Sequence, residues 1–165
     1  MTDTTTVAQD TTSIWGADVA AGVAQFLQPL VVNLTALSVD GKQAHWHVRG
    51  RNFIGIHELL DVYVEHTRAW ADLVAERVVA LGLPVDGRIA TVASSTTTPA
   101  YPDGFVSVED TVANVVRQID ATLELLHKAI ADLEEIDPSS QDVVIEIERG
   151  IVKDRWFLQA HIAQA

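Results

Sequence analysis

Apolar residues in this chain recur every three or four positions along four long stretches, and no stretch alternates at the period of a strand. That period commits the chain to helices. The first runs from Asp18 to His47, with Val19, Val23, Phe26, Leu27, Leu30, Val31, Leu34, Leu37 and Ala44 on its stripe. Pro29 falls inside it and removes one backbone donor, so a kink or a local rearrangement is expected there. Gly41 is a second weak point, but the pattern continues past both and reads as one long, bent helix. After a short turn over Val48–Asn52, a second helix is expected from Phe53 to Leu81, stopped by Gly82 and Pro84. A third opens at Ser107, an N-cap ahead of Glu109 and Asp110, and continues to Ile136 with Val112, Val115, Val116, Ile119, Leu123, Leu126, Ile130 and Leu133 as its stripe. Asp137-Pro138-Ser139-Ser140 ends it and starts a fourth, which carries Val143, Val144, Ile147, Ile151, Trp156, Phe157 and Ile162.

All the links are short except one. Residues 82–106 are rich in Thr, Ser, Pro and Gly, with room for a short helix over Arg88–Ser95. A connection of that length lets the second and third helices run parallel, joined along the outside. Four long helices with one such crossover make an all-α, ferritin-like four-helix bundle. The 165 residues suffice for one domain with a substantial core. Residues 16–165 read as the bundle, and residues 1–15, rich in Thr and Asp, as a flexible or extended tail. A hydrophobic share of 48% and a mean hydropathy of +0.16 are high for a small monomer, and point to many packed helices or to faces covered by other subunits. The net charge of −12 argues against a generic nucleic-acid binder, which needs clustered Lys and Arg, and suits a surface or cavity that gathers cations. The absence of cysteine excludes disulfides, thiolate-bound zinc and thiol catalysis. No uncharged apolar run of about 18 residues marks a membrane span. The first thirteen residues lack the basic and apolar regions of a signal peptide, so a cytoplasmic location is expected.

The chemistry concentrates in Gln43–Glu76, which holds four of the six histidines and two of the four tryptophans. At roughly 100° per residue His57 and Asp61 share a helix face, Asp72 and Glu76 share another, and the two faces lie within about 20° of each other. The pairs stand about 16 Å apart along the axis, too far for one metal ion to reach with bonds of about 2 Å. Either the stripe is a solvated polar face, or a two-fold partner lays its own second helix antiparallel to this one. In that second arrangement His57 and Asp61 of one chain meet Asp72 and Glu76 of the other, twice per dimer. His45, at the end of the first helix, joins the first pair across the short turn. Two imidazoles and three carboxylates are a mixed N/O set for Fe(II), Mn(II) or Zn(II) in an open site, not for a closed structural zinc. Such a site can pass electrons from Fe(II) to an oxidant, or polarise water for hydrolysis.

The run His45-Trp46-His47-Val48-Arg49-Gly50, followed by Asn52-Phe53, His57-Glu58-Leu59-Leu60-Asp61, Asp72 and Ala75-Glu76-Arg77, resembles the signature of the Dps miniferritins. Lys153 with Trp156-Phe157 resembles their fourth helix, and the likeness spans essentially the whole chain. It implies a hollow dodecamer of four-helix bundles. It also implies a ferroxidase centre shared across a two-fold interface, where hydrogen peroxide oxidises Fe(II) and the ferric product is stored inside, in protection against oxidative damage. Iron is then the expected metal, with other divalent ions as alternatives. By this resemblance His45, His57 and Asp61 supply metal ligands from one subunit, and Asp72 and Glu76 from its neighbour. Trp46 matches the family's tryptophan beside the centre, an electron donor that damps radical leakage or an aromatic packed at the dimer interface. Glu58 is a candidate for mineral nucleation, or a solvated acid. His47 and His66 stand outside the five-ligand pattern. The family's three-fold pores lie near the start of the fourth helix, which makes Asp142 the first candidate for admitting iron and Glu146, one turn on, the second. An acid near that helix start also suits the helix macrodipole.

Family members that bind DNA use tails rich in Lys and Arg. Here residues 1–15 carry Asp3 and Asp10 and no cation, so DNA binding near neutral pH is expected to be weak or absent. Two other functions stay open on the sequence. One is a metal-dependent hydrolase of an amide or ester, such as an N-acyl amino acid, at the same residues. The other is a DNA-compacting protein without chemistry, which the charge and the tails disfavour.

Overall fold

The computed structural model describes residues 14–163. Residues 1–13, which hold most of the expected tail, lie outside them. Four long helices, α1 (Ala17–His47), α2 (Phe53–Ala80), α4 (Val108–Leu133) and α5 (Pro138–Ala160), are joined by two tight links and one crossover that contains α3 (Ile89–Ser95). Helix ends follow local chemistry. Ser107 Oγ accepts from Asp110 N–H at 3.1 Å at the start of α4. At the start of α5 the Asp137 carboxylate accepts from Ser140 N–H at 3.2 Å, and Pro138 takes the first position, where its missing N–H costs nothing. α4 stops at Leu133, short of the expected Ile136, because the N–H groups of both Ile136 and Asp137 turn back to the Leu133 carbonyl. Pro29 sits inside α1, which continues through it as a single helix.

One expectation fails. Two short strands exist among the described residues: β1 (Val48–Arg49) pairs in parallel with β2 (Val106–Ser107), Val48 opposite Val106. Two residues are too few to display a period of two, so the sequence carries no sign of them. The pairing ties the α1–α2 turn to the end of the crossover.

Side-chain pairs give the helix directions. Lys42–Asp61 and His45–His57 run α1 antiparallel to α2. His66–Asp154 and Arg77–Asp137, the latter at 2.5 Å, run α2 antiparallel to α5. Asp120–Arg155 and His127–Glu148 do the same for α4 and α5. α2 and α4 are therefore parallel, as the long crossover requires. Leu27, Leu30, Leu34 and Leu37 of α1 are fully buried against Ile56 and Leu60 of α2, Ile119 and Leu126 of α4, and Ile147 and Ile151 of α5. Among the described residues, α1 alone is long and apolar enough to cross a membrane, but half of that window is buried inside the bundle as core. Two helix pairs approach unusually closely. A Cβ on Gly41 would stand 3.0 Å from the Tyr63 ring, and one on Gly150 would stand 2.3 Å from the Trp70 ring. Two of the apolar residues expected on the last helix lie off its buried line: Ile162 falls past the end of α5 and is 36% exposed, and Trp156 faces outward. Ser140, Val144, Ile147, Ile151, Asp154 and Leu158 form the buried line of α5, which leaves Trp156 on the far side at 63% exposed. Residues two apart on a helix diverge by about 200°, so Asp154 and Trp156 cannot both face inward.

Candidate metal centre

The site is built where α1 ends and α2 begins. Val48 and Arg49 are held by β2, and Gly50 (φ 122°) and Asn52 (φ 63°) reverse the chain in the left-handed region. Gly50 does so without steric cost, and Asn is among the side chains that best tolerate it. The reversal brings His45 and His57 face to face, with ring centroids 3.6 Å apart and planes 22° from parallel. The Phe53 ring lies 4.9 Å from His57. His45 Nδ1 is 2.8 Å from the His57 carbonyl, and His57 Nδ1 is 2.9 Å from the His45 carbonyl. A carbonyl oxygen can only accept, so both Nδ1 atoms carry the proton and donate. The Nε2 lone pair of each neutral ring is left free, the tautomer a metal ligand needs.

Asp61, one turn beyond His57, completes this end. Its carboxylate accepts from Lys42 Nζ, and the same oxygen is 3.3 Å from His45 Nδ1. The Lys42 hydrogen bond holds the Asp61 carboxyl below its usual range and the Lys42 charge adds to this, against the cost of burial. Sequence reasoning missed Lys42. It lies three positions before His45, on the same face of α1, but its pairing with Asp61 depends on the turn.

The far end of the stripe is bare. Asp72 and Glu76 are both exposed, and neither has a side-chain hydrogen bond or ion pair among the described residues. The neighbouring Arg77 is turned inward, donating to Ser140 at 2.8 Å and to Asp137 at 2.5 Å. Within one chain, no three His, Asp or Glu side chains among the described residues are placed to hold a metal ion. The chain thus brings His45, His57 and Asp61 together and keeps Asp72 and Glu76 apart from them.

The remaining candidates are dispersed. Trp46 is 61% exposed beside the buried His45, and Glu58 is exposed on α2. His47 hydrogen-bonds Gln43 and packs on Phe105, whose ring also carries the Arg49 guanidinium at 3.1 Å. His66 pairs with Asp154. Asp142 and Glu146 are exposed on α5, and no acid occupies that helix's first turn. Asp142 is the fifth residue of α5, so a macrodipole role, which fades beyond the first turn, loses its footing.

Residues 24–165 match the family model described as "Ferritin-like domain". The chain is 33% identical over 139 residues to a DNA protection during starvation protein of Agrobacterium fabrum, covering 84% of this chain and 86% of that protein. It is also 33% identical over 138 residues to DNA protection during starvation protein 2 of Deinococcus radiodurans, where the match covers 84% of this chain but only 57% of that longer protein. Among solved structures, Dps from Microbacterium arborescens in the high iron form superposes with a TM-score of 0.88 at 56% identity, over 90% of this chain and 97% of that one.

Proposed function

From the premise that this chain belongs to the ferritin-like domain family and, within it, to the Dps proteins, we propose that it is a miniferritin. It oxidises Fe(II) with hydrogen peroxide at a site that a second subunit completes, and stores the ferric product inside a hollow dodecamer. One observation supports this reading: α2 carries His57, locked against His45 of α1, and Asp61 at one end, and the exposed Asp72 and Glu76 at the other, on the same stripe. An isologous contact lays the two ends together twice. His45 and His57 then offer their free Nε2 atoms, Asp61 exchanges Lys42 for metal, and Asp72 and Glu76 of the partner subunit close the set. Peroxide takes two electrons, one from each of two Fe(II) ions, so no hydroxyl radical is released.

Trp46, exposed beside His45, supplies a stray electron when only one iron is present. Glu58 seeds mineral, and Asp142 with Glu146 draws Fe(II) toward the cage. With a net charge of −12 per chain, the assembly repels DNA near neutral pH. The test is stopped-flow oxidation of Fe(II) by peroxide and, separately, by oxygen, on protein whose assembled mass has been measured. Fast oxidation by peroxide is expected, and the double variant His57→Ala, Asp61→Ala should abolish it. Unchanged kinetics in that variant, or a monomeric mass, sinks the assignment.

A further inference from the structure

The bundle core contains a polar layer that the metal centre does not use. Every long helix contributes to it: Asp40 from α1, Tyr63 and His66 from α2, Gln118 from α4 and Asp154 from α5. Gln118 Nε2 donates to the Asp40 carboxylate at 2.6 Å and to the Pro99 carbonyl at 2.8 Å. On the opposite side His66 Nδ1 donates to Asp154 at 2.8 Å. The Tyr63 ring packs against Gly41, the residue after Asp40 on α1, and Tyr63 stands about one turn before His66 on α2. The Tyr63 hydroxyl is fully buried, and among the described residues it is the only buried side-chain nitrogen or oxygen with no hydrogen-bond partner. Phenylalanine would fill the same space without the cost of desolvating a hydroxyl, so the group calls for a partner of another kind, and internal water is the usual one.

The layer has two open ends. Asp40 lines a cavity of about 450 Å³ between α1 and the crossover, together with Thr35, Val39, Ile89 and Val92. His66, with a side chain 44% exposed, faces solvent in the groove between α2 and α5. The bundle is a square in which α1 and α4 form one edge and α2 and α5 the opposite edge, so the layer passes from face to face.

We propose that Asp40, Tyr63, Asp154 and His66, joined through internal water at the Tyr63 hydroxyl, form a proton route across the wall of the bundle. The need for it rests on the ferroxidase reading above. Two Fe(II), one hydrogen peroxide and two waters give two FeO(OH) and four protons, all of which must leave the side on which mineral forms. Along the route, water passes a proton to Tyr63 Oη while the hydroxyl hands its own proton onward, so the phenol never ionises. Burial pushes the Asp154 and Asp40 carboxyls up, against the hydrogen bonds from His66 and Gln118, so each holds a proton at higher pH than an ordinary aspartate. The other polar groups facing the layer are Lys153 on α5, whose charge reaches Asp154, and Tyr101 of the crossover, which hydrogen-bonds Thr111 on α4.

Two measurements on the assembled protein decide it. A high-resolution crystal structure should show ordered water within hydrogen-bond distance of Tyr63 Oη, leading toward Asp154 or Asp40; a dry hydroxyl overturns the route. In stopped flow, ferric absorbance and a bulk pH indicator are followed together after mixing with Fe(II) and peroxide. Tyr63→Phe keeps the ring and its packing, so iron oxidation should proceed at the wild-type rate while proton release lags several-fold. His66→Gln, at the exposed end, should reproduce that lag. Proton release in step with oxidation in both variants overturns the proposal. If wild-type protein oxidises no iron, the ferroxidase reading fails and the route falls with it. That outcome is distinguishable, because in it the wild type releases no protons.

Discussion

The two ends of the α2 stripe carry the same kind of chemistry in opposite states. At the first end, His45 is buried, both imidazoles are locked by reciprocal backbone hydrogen bonds, and Asp61 already has a cation in Lys42. At the second, Asp72 and Glu76 are like charges one turn apart on an exposed face, an arrangement that mildly destabilises an isolated helix. The difference lies in who builds each end. α1 of the same chain constructs the first, and nothing among the described residues constructs the second. On the function proposed above, a face left with repelling carboxylates is half of an interface, and the half it meets is the histidine end of a second copy.

The largest effect that tests this comparison comes from mixing subunits. His57→Ala with Asp61→Ala in one chain, and Asp72→Ala with Glu76→Ala in another, should each abolish fast peroxide-driven oxidation. In a dimer that combines the two, one site has lost both halves and the other has kept both. Random reassembly makes half of the dimers mixed, so about a quarter of all sites should be restored from two inactive parents. Mass spectrometry of the reassembled protein checks that mixing occurred. No recovery in proven mixed assemblies would place the site within one chain and break the comparison.

A smaller contrast appears in stability. His45→Ala strands the His57 carbonyl and empties a buried position, so it should cost roughly 1–3 kcal/mol. Asp72→Ala removes a solvated charge with no partner and should stay within about 0.5 kcal/mol. Urea unfolding at matched subunit concentration reads both, since assembly itself contributes to stability. Equal costs would mean that the bare end is structured by contacts within its own chain.

Much of this was legible before any coordinates. The i, i+4 spacing of His57 with Asp61 and of Asp72 with Glu76 fixes a common stripe, and the helical rise fixes its length, so that the two pairs cannot meet within one chain follows from geometry alone. The bundle was equally legible, because long apolar stripes and a Pro- and Gly-rich crossover are statements about period and length. What remained hidden depends on how the chain returns on itself. Lys42 meets Asp61 only because Gly50 and Asn52 take left-handed conformations, and the two-residue strands have no sequence period at all. Asp154 was hidden differently: a charged residue on a buried stripe reads as a break in the pattern until His66 is found beside it. Trp156 lies off the buried line for the complementary reason: its place on the wheel, opposite Asp154, outweighs its apolar character.

The smallest effect isolates Lys42, the one feature of the prepared end that opposes metal binding. Lys42 and a metal ion compete for the same Asp61 carboxylate, so Lys42→Met should bind Co(II) a few-fold more tightly at neutral pH, read from the visible spectrum. The same substitution carries a pH signature. Asp61 has its folded-state pKa lowered, chiefly by the Lys42 hydrogen bond. Its contribution to stability is therefore present above the unfolded pKa of about 3.9 and is lost as pH falls through the lower folded value. Without Lys42 that contribution largely disappears. Wild type should be slightly more stable than the variant at neutral pH, and the gap should close as acid titrates the folded carboxyl. Because the Asp61 side chain is 46% exposed, solvent screens the pair and the gap is small. Tighter Co(II) binding with a slightly less acid-resistant fold would identify Lys42 as a placeholder for the metal. Weaker binding would instead make it a residue that positions Asp61 for coordination.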